Sequence, residues 1–361
     1  MPDTRPNTVF KEIEGKPVCQ ACLNFDKRKN IDWGKKYDEL KGICRFYRGI
    51  GKPYDCAIPI SGGKDSHFLT YIAKELGLNP LLVRIADGFS MSTAGRKNIE
   101  NIRDIFNCDM VEFTPSTDVY RRMTRICFEQ LGKFPFVDQS IYTASCDIIN
   151  HLGIQLVLFG EDPLQEYGTT EEPLKDIEVL SRIMSSYDGD FWKRNNFTDQ
   201  EVSFLQPPSV ARKTNFLISP IFVSHYMQWS GVRNYEVAKR FGFQPLNEHA
   251  REGCLENYDS IDSWGWQLSQ HLKYRKLGFG RVTDIACRWI REGLITRDKA
   301  IEYVNMQDRN CDTRVIDDFL RFTGYTKSEF HDIAETWWNR DLFECIGGFW
   351  LPKFIVGQAL K

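Results

Sequence analysis

The stretch Cys56-Ala57-Ile58-Pro59-Ile60-Ser61-Gly62-Gly63-Lys64-Asp65-Ser66-His67 constrains the fold more than any other. It holds a short apolar run, a small glycine-rich turn, and the start of an amphipathic segment. Ala57 to Ile60 reads as a buried strand. Phe68, Leu69, Ile72, Ala73 and Leu76 then fall at helical spacing over Lys64–Leu76. A Gly-Gly turn between strand and helix lets the backbone come close to an anion. It also aims the free N–H groups of the helix, and its positive dipole end, at that anion. Ser61 and Ser66 add hydroxyl donors and Lys64 adds a point charge, so the stretch reads as a phosphate cradle. It is not a Walker loop, because the glycines are adjacent and Lys64 follows them at once.

The residues around this stretch repeat the pattern. Strand Leu81–Ala86 precedes helix Ser92–Phe106, and strand Met110–Phe113 precedes helix Thr117–Leu131. Helix Gln139–His151 precedes strand Gln155–Phe159. Alternation of this kind predicts an α/β fold with a parallel, doubly wound sheet. Ligands in such sheets gather at the carboxyl ends of the strands. Three of those ends carry polar or glycine residues: Ser61–Ser66, Asp87-Gly88-Phe89 and Gly160-Glu161-Asp162.

The flanks differ. Residues 1–50 read as polar and irregular, with Cys19-Gln-Ala-Cys22 in a turn-like context. Residues 163–215 are rich in charge and proline, but keep Phe191, Trp192, Phe197 and Phe204, so they read as a lid or substrate-binding insertion with a helix over Glu178–Ser186. Leu217–Ile221 reads as a strand, and helix Arg233–Phe241 ends at Gly242. Residues 255–361 read as helical over Ser263–Leu277, Val282–Glu292, Arg297–Asn305 and Asp312–Phe322, with further helix starts at Thr296 and Thr326. The expected organisation is an N-terminal segment (1–50), a nucleotide-type domain (51–250) and a helical region (251–361).

Composition narrows the classes. A chain of 361 residues with 42% hydrophobic and 13% aromatic content can bury a substantial core. The net charge of −2 gives no whole-chain reason to expect a nucleic-acid or membrane surface. No apolar run reaches bilayer-spanning length and the first residues lack a signal-peptide core, so the chain reads as cytoplasmic. Of the 11 cysteines only Cys19 and Cys22 form a close pair. The pair is half of a structural zinc site, with Cys44 and Cys254 as candidate partners, or a plain turn, or a redox pair. Cys108, Cys127, Cys146 and Cys287 read as small core residues.

Several residues could carry chemistry. Ser61, Gly62, Gly63, Lys64, Asp65 and Ser66 would hold phosphates, with Lys64 balancing charge on a leaving group. Asp65 repels phosphate unless Mg²⁺ lies between them, so it is either a magnesium ligand or a first-turn Asp that favours the helix dipole. Asp87 reads as a contact to the expected nucleotide, as a neighbour of the substrate, or as a plain turn residue. Gly95 and Asn98 open the next helix, where Arg96 and Lys97 are candidates for an anionic substrate. Gly160, Glu161 and Asp162 end a buried strand, where two carboxylates call for a partner or a metal, with a plain capping role as the alternative. Asp162 is therefore a second candidate magnesium ligand, and Glu161 a catalytic candidate that could orient ammonia. No Ser-His-Asp or Cys-His arrangement is evident. Pro2 rather than Cys follows Met1, which argues against a fused glutaminase with an N-terminal cysteine nucleophile.

The loop Ser61-Gly-Gly-Lys-Asp-Ser66 resembles that of the N-type ATP pyrophosphatases, which split ATP to AMP and pyrophosphate. This implies an adenine nucleotide α-hydrolase-like fold, with ATP and Mg²⁺ as cofactors. Further stretches are similar to the N-acetyl sugar amidotransferases. They are Met1-Pro-Asp-Thr-Arg-Pro6, Gly15-x-x-x-Cys19-x-x-Cys22, Asp55–Ser66, Gly160-Glu-Asp-Pro-Leu-Gln-Glu-Tyr-Gly168, Tyr235-Glu-Val-Ala-Lys-x-x-Gly-Phe243 and Lys276-Leu-Gly-Phe-Gly-Arg281. That resemblance implies conversion of a sugar acetamido group to an acetamidino group, in O-antigen or flagellin-sugar synthesis. It also implies an N-acetylated, diacetamido-type substrate, and ammonia from a separate glutamine amidotransferase with a synthase-like subunit. The family's Zn²⁺-type pair at Cys19 and Cys22 follows an upstream Cys-x-x-Cys that this sequence does not contain. Either the site is half lost, or another cysteine completes it, or the start lies upstream. Two rival readings are a tRNA-modifying ATP pyrophosphatase of the thiolation or lysidine type, and a zinc-bearing scaffold without catalysis. The charge balance argues against the first, and the intact Ser61–Ser66 loop against the second.

Overall fold

A computed structural model describes residues 1–50, 53–207, 218–247 and 249–359. The chain opens with hairpin β1 (Phe10–Ile13) and β2 (Lys16–Cys19), then helices α1 (Gln20–Lys27) and α2 (Trp33–Tyr47). The alternating part follows: β3 (Cys56–Ile60), α3 (Lys64–Glu75), β4 (Pro80–Ile85), α4 (Thr93–Ile105), β5 (Asp109–Phe113), α5 (Thr117–Gln130), α6 (Pro135–His151) and β6 (Leu156–Phe159). Short helices α7 (Pro163–Glu166), α8 (Asp176–Met184) and α9 (Gly189–Arg194) precede β7 (Ser219–Phe222) and α10 (Gly231–Arg240). Helices α11 (Trp264–Leu277), α12 (Arg281–Arg291), α13 (Arg297–Gln307), α14 (Thr313–Thr323) and α15 (Lys327–Glu335) lead to a closing hairpin, β8 (Phe343–Ile346) and β9 (Phe349–Pro352).

Strands β3 to β7 form one parallel sheet in the order β5-β4-β3-β6-β7. The alternating pattern therefore gives the fold it predicted. The apolar runs are near-continuous because both faces are covered. Cys56, Ile58 and Ile60 of β3 pack with Leu40, Phe68 and Ile72 on one face. Ala57, Leu81, Val83 and Val157 pack with Cys146, Ile149 and Val179 on the other. Ile58 and Leu82 are fully buried, and each contributes roughly 1.5–3 kcal/mol of apolar transfer. Pairing of β3 to β6 is confined to Cys56 and Ala57. Beyond that point Pro59 offers no N–H, and β3 and β6 part at the place where the strand order reverses. The Ser61–Ser66 loop lies at this switch point.

Three expectations change. Residues 1–50 are not irregular, because α2 buries Leu40 and Cys44 against the sheet. The helical reading of residues 255–361 misses the β8–β9 hairpin, whose Phe349 and Ile346 stay exposed. Cys287 is only half-buried, unlike Cys108, Cys127 and Cys146. The 163–215 insertion, where described, packs Val179, Leu180, Met184, Trp192 and Phe197 inward. Its residues 208–215, and Leu217 of the expected strand, lie outside the described residues. The expected starts at Thr296 and Thr326 are N-caps, the latter a capping box with Glu329. Helices of the last third share a core with the sheet region, where Phe128 meets Phe319 and Phe330. Among the described residues no helix is long and apolar enough to cross a membrane.

Candidate active site

The loop after β3 is held by its own hydroxyls. The Ser61 N–H donates to Ser66 Oγ (3.1 Å), and the Gly63 N–H donates to Ser61 Oγ (3.2 Å). Gly62 sits at φ +90°, and a Cβ there would lie 2.5 Å from Ile99 Cγ1. Only glycine suits the turn on both counts. Gly63 caps α3 with no side chain, so the first-turn N–H groups of α3 stay open to a ligand. His67, fully buried, supports the turn from beneath. Its Nδ1 pairs with Gly63 O (3.0 Å) and its Nε2 with Asn101 Nδ2 (3.1 Å). Burial pushes its pKa down to about 4, so the ring is neutral at pH 7.

Lys64 is buried at the loop's edge, with Nζ 2.8 Å from Asp65 Oδ2. Burial acts against its charge, but Asp65, Glu161 and Glu256 outweigh burial and hold the ammonium above its ordinary pKa. The other Asp65 oxygen accepts from Asn234 Nδ2 at 2.8 Å. Asp262 reaches Ser61 from the segment before α11. Helix α12 supplies two arginines. Arg281 makes a two-pronged pair with Asp259 (2.8 and 2.6 Å), and Arg288 Nε lies 2.9 Å from Glu166 Oε1 with Nη1 3.7 Å from Glu161 Oε1. Glu161 is pushed up to about 8 by burial and by the Glu166 and Asp65 charges, against the pull of Arg288 and Lys64. A proton can therefore move on or off this carboxyl near neutrality.

The structure thus brings together Ser61–Ser66, Lys64, Asp65 and Glu161 of the expected set. Gly160 ends β6 beneath Trp229, with 3.0 Å between that ring and the place a Cβ would take. Asp87 lies just past β4, where it accepts from the Phe89 N–H (3.1 Å) and from Ser263. Burial raises its pKa to about 7. Asn98 is fully buried and its amide is tied to Gln244, through Nδ2 to the carbonyl (2.9 Å) and Oδ1 from the N–H (2.8 Å). No surface of Asn98 is left for a nucleotide in this arrangement.

The geometry answers the metal expectations residue by residue. Asp162 Oδ1 caps α7 through the Leu164 and Gln165 N–H groups, and Oδ2 lies 2.6 Å from His225 Nε2. His225 Nδ1 lies 3.0 Å from Asp176. Burial opposes the His225 charge, yet the two carboxylates prevail and lift its pKa to about 9. Asp162 is thus a helix cap and an ion-pair partner, and Asp65 is engaged at both oxygens. Cys19 and Cys22 lie with Sγ atoms 3.4 Å apart, and the Cys22 thiol lowers the Cys19 pKa to about 5. The partners considered for them lie elsewhere. Cys44 is in the core under β3, and Cys254 faces the Glu256 carbonyl and Asp259. Among the described residues no three His, Cys, Asp or Glu side chains form a metal-ligand group. Among the described residues no zinc site closes from protein ligands alone, whereas Mg²⁺ needs only one or two carboxylates beside phosphate oxygens, which leaves Asp65 as its candidate ligand.

Sequence reasoning missed Asn234, Asp259, Asp262 and Arg288, and noted Arg281 without giving it a role. A signal existed in α12. Arg281, Asp284 and Arg288 recur at i, i+3 and i+7, which places them on one helix face. By pattern alone such a face reads as solvated rather than buried.

Comparison with known proteins adds three findings. A family model described as "LPS biosynthesis protein WbpG-like, C-terminal domain" matches residues 222–353. The match takes in Asn234, Asp259, Asp262, Arg281 and Arg288, and does not reach the Ser61–Ser66 loop. An uncharacterized protein of Methanocaldococcus jannaschii is 34% identical over 100 residues. Those residues are 27% of this chain and 35% of that protein, so the chain spans about a third of the relative's length. The crystal structure of an NAD+ synthetase from Burkholderia pseudomallei aligns over 62% of this chain and 94% of its own, at 13% identity and a TM-score of 0.28. A superposition that loose carries no argument, and the α/β assignment rests on the sheet itself.

Proposed function

We propose that the protein activates the acetamido oxygen of an N-acetyl sugar with ATP and then replaces that oxygen with ammonia, in the synthesis of a surface polysaccharide. The observation that carries this reading is the meeting of two differently derived parts at one place. The phosphate-type loop is joined through Asp65–Asn234 and Lys64–Glu161–Arg288 to the region matched by the LPS-biosynthesis family model.

In the first step the acetamido oxygen attacks the α-phosphorus of ATP, and the bond to pyrophosphate breaks. Lys64 and the open N–H groups of α3 hold the charge that gathers on the leaving pyrophosphate. The product is an adenylated imidate, whose C–O bond is now easy to break. In the second step ammonia attacks that carbon, a proton leaves the new nitrogen, and AMP departs with the former amide oxygen. Glu161, poised near neutrality, is the group to take that proton. Arg288 and Lys64 stabilise Glu161 once it is charged. Ammonia comes from a separate glutamine amidotransferase, as the family resemblance implies.

The test is incubation with ATP, Mg²⁺, ammonium and a panel of diacetamido sugars, read by AMP release and product mass. Sugar-dependent AMP, with a product in which NH replaces O, is expected. AMP that forms only with tRNA would overturn the sugar reading, and failure to bind ATP would favour a scaffold.

A further inference from the structure

We propose that a second pocket, at the start of α4, is an anion subsite for a phosphoryl-bearing ligand. The cavity is about 420 Å³, within the range of small-molecule sites. It is separated from the Ser61–Ser66 loop by one extended segment. On one side of that segment Asp262 reaches Ser61. On the other, the Ile261 carbonyl accepts from both the N–H (3.0 Å) and Oγ (2.9 Å) of Ser92. Gly95 allows this approach, since a Cβ there would fall 2.3 Å from the Ile261 oxygen. The pocket is distinct from the phosphate loop but shares a wall with it.

The charged side chains of its described lining are all basic. Thr93 and Ala94 begin a 13-residue helix, and Ser92 caps only the Gly95 N–H, at 2.9 Å. The positive helix end therefore faces the pocket beside Lys97, Arg251 and Arg314. Arg251 is 3% exposed, and its Nη1 is buried with no hydrogen-bond partner among the described residues. The indole N–H of Trp264, a residue that also lines the pocket, is buried and likewise without a partner among the described residues. Arg251 stacks over the Trp264 ring at 5.4 Å. A buried donor without an acceptor costs roughly 1–3 kcal/mol, so two on neighbouring residues that line one cavity call for an acceptor ligand. Burial lowers the Arg251 pKa against the pull of Cys254, Asp259, Asp262 and Asp312, and Asp312 pairs with Arg314 (2.7 Å). No carboxylate among the described residues lines the pocket itself. Phosphoryl oxygens match this set, as they accept from arginine forks and helix N–H groups alike.

The inference needs no turnover and stands apart from the amidine reading. Calorimetric titration of the full chain with inorganic pyrophosphate should show two binding events. Lys64→Ala should lose the event at the loop and keep the other. Lys97→Glu, an exposed substitution that leaves the core intact, should weaken the remaining event by about tenfold or more. Arg251→Gln should do the same where it folds. Loss of all binding in Lys64→Ala, or unchanged affinity in Lys97→Glu, would overturn the site. Uridine diphosphate, titrated into Lys64→Ala, distinguishes the sources. Tighter binding than pyrophosphate marks the pocket for a nucleotide-linked ligand, and weaker binding marks it for the inorganic product.

Discussion

If Glu161 takes a proton from the attacking nitrogen, Glu161→Gln should remove that step while leaving the site's shape. Glutamine copies the protonated carboxyl, which is the form Glu161 holds at neutral pH with its pKa near 8. The pair of Arg288 with Glu166 at 2.9 Å should therefore persist. A base with a pKa near 8 is charged in about 3% of molecules at pH 6.5 and about 76% at pH 8.5, a rise of about 25-fold. The sign is fixed by the role, because the base acts when deprotonated and the rate must climb with pH. About a third of the side chain still meets water (33% exposed), so screening places the midpoint at or somewhat below 8. Free ammonia also rises with pH, so total ammonium must be adjusted at each pH to hold ammonia constant. Under that condition the wild type should follow the Glu161 titration. Glu161→Gln should lose about 10²–10⁴-fold in amidine formation and show a flat profile. A variant that keeps the same rise, or near wild-type turnover, would refute the assignment.

Two further outcomes follow from the same geometry. Lys64→Ala should lower AMP formation by about 10²–10³-fold with the near-ultraviolet circular dichroism unchanged, because the ammonium serves leaving-group charge while the Asn234–Asp65 bond remains. Arg288→Met should cost up to about 3–5 kcal/mol well above pH 8, where Glu161 is charged and would face Glu166 without Arg288. The loss should shrink at pH 6, where the pair can take up a proton. Urea midpoints at the two pH values check this, and an equal loss at both would count against the ion-pair account.

The alternating part of the fold was legible because its signals are local. β3 (Cys56–Ile60) takes in the expected Ala57–Ile60, and α3 begins at Lys64 as read. Helix starts at Thr296 and Thr326 were legible for the same reason, since a cap and its acceptor lie within one turn. What failed was decided at longer range. Helix α2 has weak periodicity and is fixed by packing of Leu40 and Cys44 against the sheet. The β8–β9 hairpin sits behind a run of helices, so its neighbours suggested the wrong class. Asp162 shows the limit for single residues. Two carboxylates at a strand end suggested a metal, but whether a cation or a histidine answers them depends on His225, 63 residues away.

By itself the sequence determined the strand–turn–helix at Cys56–His67, the parallel α/β class, and Lys64 and Glu161 as reactive candidates. These follow from hydrophobic period, glycine at a tight turn and chemistry at strand ends, all properties of neighbouring residues. Only the tertiary structure decided what surrounds those candidates. It turned Asp162 and Asn98 into supports, set Asn234 against Asp65, and placed Arg288 beside Glu161. The physical reason is that a charge's role depends on its partners and its exposure to water. Both are set by elements far apart in the chain.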